Sequence, residues 1–239
     1  MTTRSIECPY CGAFLKSREA EVSGYRLFAG YEECCCSGAE MARKASKEEE
    51  RYKAKLAAVE KHKKRIAMSG IPVRFQSSVG DVSEWLPAIR GNRSLLFTGP
   101  QGVGKTHLAC SIGVALIDEM SVRFTSIMRI KASILGQEMT EAELYRRLSK
   151  CDLLILDDLG KEKPGEWVIG LIYSVVNTRY EDMRPMIITS NMNMEKLEAF
   201  MTVDKDNMAA KAIVSRIYEM CGGAPVHMHG EDRRLGRSH

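Results

Sequence analysis

The sequence predicts an α/β fold: a parallel sheet with helices on both faces, joined to a small N-terminal module. Three observations carry that reading. From Ser69 onward, short apolar strand-like runs alternate with helix-like segments, the pattern of a covered parallel sheet. A Gly-rich loop links one such strand to one such helix. Five of the eight cysteines crowd into the first 36 residues, and this sets the N-terminus apart.

Composition bounds the rest. The chain has 239 residues, 44% hydrophobic and 28% charged, enough to bury a sizeable core. Lys and Arg number 35 against 31 Asp and Glu, a net +4 that permits nucleic-acid contact without demanding it. No apolar run approaches the roughly 20 residues of a membrane span. The longest, Trp167 to Val176, is interrupted by Gly170, Tyr173 and Ser174. MTTRSIECPYCG lacks a signal peptide's apolar core, so the chain reads as cytoplasmic, with no membrane partner and reduced thiols. Cys110, Cys151 and Cys221 stand singly near apolar segments and read as small core hydrophobes.

Three regions follow. Residues 1–39 are short, turn-rich and Cys-rich. Residues 40–68 are dominated by Lys, Arg, Glu and Ala without Pro or Gly, which predicts a solvated linker helix of about 25 residues, roughly 40 Å long. Lys61, Lys63, Lys64 and Arg65 read as part of that solvated face, with nucleic-acid contact as the second reading. Gly70 and Pro72 end the helix. Residues 69–239 form the main domain.

Within it, Ser94–Thr98 (SLLFT) is a strand and Lys105–Glu119 a helix. Val122–Ile127 is a second strand. Thr140–Leu148 is a helix with Thr140 and Glu143 spaced as a capping box. Leu153–Leu156 (LLIL) is a buried strand, Glu166–Tyr180 a helix apolar nearly all round, and Met186–Thr189 another strand. KAIVSRIYEM forms a late amphipathic helix.

Gly99-Pro100-Gln101-Gly102-Val103-Gly104-Lys105-Thr106 matches G-x-x-x-x-G-K-[ST] between a strand and a helix, the context a phosphate-binding loop requires. Its glycines let successive backbone N–H groups face phosphate oxygens, and the helix N-terminus adds partial positive charge. Lys105 reaches the β- and γ-phosphates and Thr106 ligates Mg²⁺. His107 follows directly and counts with the loop as a nucleotide-binding position. Asp157 and Asp158 close the LLIL strand. Asp157 holds Mg²⁺, and Asp158 orients or deprotonates the attacking water. Asn191 ends the MIITSN strand, where an amide can hydrogen-bond that water or the γ-phosphate.

GPQGVGKTHLA, CDLLILDDLG, NTRY (Asn177 to Tyr180), IITSN and the late SRI together resemble the bacterial helicase-loader ATPases of the DnaC/DnaI type. The transposition helper ATPases of the IstB type share that core, and both are AAA+ ATPases. The resemblance covers roughly Ser69 to Arg234. It implies ATP as nucleotide, a P-loop AAA+ sheet without a C-terminal lid domain, a sensor at Asn191 and a trans-acting arginine at Arg216. It further implies slow hydrolysis stimulated by partners, self-association in the ATP state, and a replicative helicase hexamer and single-stranded DNA as partners. Arg129 and Lys131 lie where related proteins carry a DNA-contacting helix. GEDRR offers Arg233 or Arg234 as a late sensor, though the Ser of the family pattern is missing.

Cys8-Pro9-Tyr10-Cys11-Gly12 is half of a zinc knuckle, and Cys34-Cys35-Cys36 supplies the rest. Alternate residues of an extended segment point the same way, so Cys34 and Cys36 join Cys8 and Cys11, with Cys35 as runner-up. A module this small needs such a staple. Gram-positive-type loaders carry a zinc-binding N-terminal domain that holds the helicase, and the resemblance implies that role here. The alternative reading is an IstB-like transposition helper.

Overall fold

The computed structural model describes residues 5–22, 25–77, 80–163, 165–202 and 208–232. The chain divides into two compact units, 1–61 and 62–239.

The first unit contains a three-stranded antiparallel sheet, β1 (Ser5–Glu7), β2 (Phe14–Val22) and β3 (Tyr25–Tyr31), in that order. Ile6 faces Leu15 across the first pair, and Val22 faces Tyr25 across the second. Most of β2 is exposed, and its FLKSREAEV lacks the apolar alternation that marks a half-buried strand. Helix α1 (Ser37–Ser69) begins ahead of the expected residue 40 and runs for 33 residues. Gly70 terminates it with φ 77°, the left-handed stop anticipated from its sequence position.

The second unit is the α/β body. It comprises α2 (Val73–Gln76), α3 (Leu86–Arg90), β4 (Leu95–Thr98), α4 (Lys105–Leu116), β5 (Val122–Ser126), α5 (Ile127–Leu135), α6 (Glu141–Lys150), β6 (Leu153–Asp157), α7 (Glu166–Glu181), β7 (Met186–Ser190), α8 (Met194–Met201), α9 (Met208–Met220) and β8 (Val226–His227). Its five strands run in the order β5-β6-β7-β4-β8, and every pairing is parallel. Central strands β4, β6 and β7 are buried along their whole length. Alternate residues feed two cores. Leu154, Leu156, Met186 and Ile188 pack with α6, α7 and α9 on one face. Leu153, Ile155, Phe97 and Ile187 pack with α3 and α4 on the other. Two-sided burial is why these strands read as unbroken apolar runs. Cys110, Cys151 and Cys221 are buried, and burial pushes the thiols of Cys110 and Cys221 up to about 12.

Local signals place the helices. Thr140 caps α6 by accepting from Glu143 N at 3.2 Å. The reciprocal half of the box does not form, because Glu143 binds Arg147 at 2.6 Å instead. Helix α4 stops at Leu116, short of the expected Glu119, where a turn leads into β5. Arg179 on α7 is fully buried and donates to the carbonyls of Leu148 (2.9 Å), Cys151 (2.8 Å), Asp152 (3.0 Å) and Pro185 (2.6 Å). It joins the end of α6 to the entries of β6 and β7. Among the described residues, no helix is long and apolar enough to cross a membrane.

Candidate nucleotide site

Strand β4 ends at Thr98, and the Gly-rich loop follows at the C-terminal edge of the sheet, where open α/β sheets bind ligands. Gly99, Gly102 and Gly104 take φ of 135°, 78° and 102°, values that L side chains rarely adopt. Gly104 hands the chain to α4 from the left-handed region, so Lys105 and Thr106 form its first turn. Val103 is buried at 1% exposure and anchors the loop beneath.

The Lys105 ammonium is buried and donates to Gly99 O at 2.8 Å, Pro100 O at 2.6 Å and Asn191 Oδ1 at 2.8 Å. Thr106 Oγ1 donates to Asp157 Oδ1 at 2.8 Å, and Thr189 Oγ1 donates to the same oxygen at 2.7 Å. The two candidate Mg²⁺ ligands are therefore in direct contact. Burial pushes the Asp157 carboxyl above its ordinary value of 3.8, opposed by the Thr189 and Thr106 hydrogen bonds. Asp158 follows with φ 53°, its N–H donating to Thr189 Oγ1 at 2.9 Å and its carboxylate 3.2 Å from Lys161 Nζ.

Lys105, Thr106, Asp158 and Asn191 face one cavity of about 650 Å³, within the range of ligand pockets, while Asp157 lies behind Thr106 and is not among its lining residues. Gln101, Gly102, Gly104, Lys105, Thr106, His107, Asp158 and Asn191 line it, as do Arg74, Phe75 and Lys161. The sequence reading missed those last three. Phe75 meets the His107 ring edge-on at 6.1 Å, and the Arg74 guanidinium stands 5.0 Å from the Phe75 ring. Packing of α2 on α4 brings them in, and no local pattern signals it.

The C-terminal segment also reaches the loop. Met228 N donates to Thr98 O at 2.8 Å, continuing the β4–β8 pairing. The Met228 carbonyl abuts Gly99 and the Asp232 carboxylate abuts Gly102, so neither glycine has room for a side chain. Arg233 and Arg234 lie outside the described residues.

Arg216 does not line this cavity. It sits on α9 with its guanidinium 5.5 Å from the Tyr173 ring and 5.8 Å from the Tyr180 ring. Arg129 is held locally, donating to Gly70 O at 2.5 Å and covering the Phe124 ring, while Lys131 pairs with Glu162 at 3.7 Å.

In the N-terminal unit, Cys8, Cys11, Cys34 and Cys36 converge, with all four sulfurs within 4.8 Å of one another. Cys11 and Cys34 are 3.4 Å apart, and Cys8 and Cys36 are 3.9 Å apart. A tetrahedral ion with Zn–S near 2.3 Å needs sulfurs about 3.8 Å apart, so the donor set fits zinc. Cys35 is exposed and outside the group. The backbone N–H of Tyr10 holds the Cys8 thiol down to about 7.

Residues 40–239 match the family of IstB-like ATP binding proteins. The chain belongs to this family. The IstB-like chain is 34% identical over 131 residues to an ATP-binding protein of insertion sequence IS232 from Bacillus thuringiensis subsp. berliner, covering 52% of this chain and 49% of the relative. It is 27% identical over 131 residues to the replicative helicase loader DnaC of Escherichia coli strain K12, covering 51% of this chain and 52% of the relative. The chain thus spans about half the length of these relatives. The solved structure of DnaI superposes with a TM-score of 0.57 at 23% identity, covering 69% of this chain and 95% of that one. The likeness shows the fold, a parallel sheet flanked by helices.

Proposed function

We propose that this IstB-like ATPase is a cytoplasmic helicase loader, grasping a hexameric replicative helicase and placing it on single-stranded DNA. The observation that carries the reading is the cysteine module. Four sulfurs with zinc-compatible spacing lie in residues 1–39, ahead of the ATP-binding family match at 40–239. In this reading 1–39 binds the helicase, 40–68 is a linker and 69–239 is the ATPase domain. Zinc would supply a fold-stabilising crosslink through Cys8, Cys11, Cys34 and Cys36.

The cavity's residues divide the hydrolytic work. Backbone N–H groups of the loop bind phosphate oxygens, and Lys105 moves from its carbonyl acceptors toward the β- and γ-phosphates. Thr106 and Asp157 would hold Mg²⁺, which neutralises developing charge on the phosphates. Asp158 orients the attacking water and Asn191 fixes the γ-phosphate. Arg216 completes the site of a neighbouring copy, so turnover is slow until copies assemble on helicase or DNA.

A second reading, a transposition helper ATPase, rests on the similarity to insertion-sequence ATP-binding proteins. Size-resolved mixing of the full chain with the replicative helicase, with ATP, ADP or neither, separates the two. The loader reading expects a stoichiometric complex that Cys36→Ser abolishes. No complex under any condition, with ATP-dependent assembly on duplex DNA, establishes the helper.

A further inference from the structure

The turn that follows the acidic pair is pinned to β7. Leu159 is fully buried, its N–H donates to Thr189 O at 2.8 Å, and its carbonyl accepts from Ser190 Oγ at 2.6 Å. Lys161 N closes the turn on Asp158 O at 3.1 Å, with Gly160 at φ 95°. The backbone of Lys161 is thereby fixed beside the acidic pair, and its long side chain is the part free to move. That ammonium lies 3.2 Å from Asp158 Oδ2 and lines the cavity with Lys105, Thr106 and Asn191. It also lowers the pKa of Asp157 through space.

An exposed ion pair three residues apart contributes little to stability. Its placement gives Lys161 another use. Lys105, Asn191, Thr106 and the acidic pair converge on the place where a terminal phosphate sits in phosphate-loop sites. Arg74, the other cation of the cavity wall besides Lys105, stands over the Phe75 ring. Lys161 lines the cavity and contacts the second member of the acidic pair.

We propose that Lys161 reads the γ-phosphate in cis. On triphosphate binding its ammonium bridges Asp158 and a γ-phosphate oxygen, and it is the residue by which this pocket prefers a nucleoside triphosphate to a diphosphate. The proposal rests on the reading of the cavity as an ATP site.

The test titrates the full chain with Mg²⁺ and either ADP or β,γ-methylene ATP, for the wild type, Lys161→Met and Lys161→Arg. Lys161→Met keeps the side-chain length and removes the charge. We expect it to weaken the triphosphate analogue by roughly tenfold while ADP stays within about twofold, since a charge-assisted contact of this kind is worth about one decade. Lys161→Arg restores most of the loss. Equal weakening of both nucleotides would assign Lys161 a structural role and overturn the proposal. Unchanged affinity for both would leave a solvated ion pair and overturn it as well. A wild type that binds neither nucleotide overturns the ATP-site reading itself.

Discussion

The Lys105 ammonium and the Asn191 side-chain oxygen are hydrogen-bonded at 2.8 Å across 86 positions of sequence. Two strand ends, β4 through its loop and β7 directly, thus deliver one donor and one acceptor to the same point. Removing either has a different consequence. Lys105→Ala deletes a phosphate contact and is expected to lower both ATP affinity and hydrolysis, the latter by at least about a hundredfold. Asn191→Ala is expected to spare ADP affinity and reduce kcat by about tenfold to a hundredfold. Steady-state hydrolysis together with equilibrium ADP binding distinguishes the two.

Asp157 couples stability to activity with opposite signs. Its folded pKa is raised by burial, so the folded state holds a proton there more tightly than the unfolded chain. That contribution is full below the unfolded value and is lost as pH rises through the folded one. Ionised Asp157 therefore opposes folding at neutral pH. Asp157→Asn is expected to raise the thermal midpoint at pH 7 while abolishing Mg²⁺-dependent hydrolysis. In the wild type, protons compete with Mg²⁺, and Mg²⁺ affinity falls on acidification before an ordinary aspartate would titrate. Parallel melting curves and Mg²⁺ titrations between pH 4 and 7 check both statements.

The glycines of the loop differ in what blocks a side chain. At Gly99 the obstacle is the Met228 backbone, and at Gly102 it is the Asp232 side chain. Both have positive φ, so each alanine is strained. Gly99→Ala must also displace the segment that pairs with β4, and is expected to destabilise by about 2–3 kcal/mol. Gly102→Ala is expected to destabilise by about 1 kcal/mol, because a side chain moves aside more readily. Urea midpoints of the two variants rank them.

Zinc dependence is expected to follow the four converging sulfurs. Cys36→Ser should lose stoichiometric zinc and Cys35→Ser should retain it, as metal analysis of purified protein will show. Equal loss in both variants would contradict the four-sulfur assignment.

Much of the α/β body is legible in the sequence. Strands β4, β6 and β7 are buried on both faces, and burial on both faces writes an apolar run. The loop and the acidic pair are legible because their chemistry fixes residue type and spacing together. The N-terminal sheet is not, since exposed β2 can carry Lys, Ser, Arg and Glu without loss of pairing. Strand β8 is two residues long and forms by docking on β4. Arg74, Phe75 and Lys161 enter the cavity through tertiary packing or a turn. A charged Lys-Glu-Lys run looks like any solvated loop until the turn shows that its first lysine faces Asp158. Arg129 illustrates the reverse. A cation suggestive of DNA is committed to Gly70 and Phe124.

Arg179 has a consequence for how the protein comes apart. Its guanidinium takes acceptors at the end of α6, at the entry of β6 and at Pro185 before β7, on two chain segments, while remaining fully buried. If the end of α6 frays, or the entry of β6 or β7 opens, a buried charge loses its solvation shell of carbonyls before water can replace it. Each small opening is therefore penalised by the other two, and the three places open as one. Amide exchange at the end of α6 and at the entries of β6 and β7 should then report one common opening free energy. The fold has a cooperativity lock at the edge of the sheet opposite its nucleotide loop.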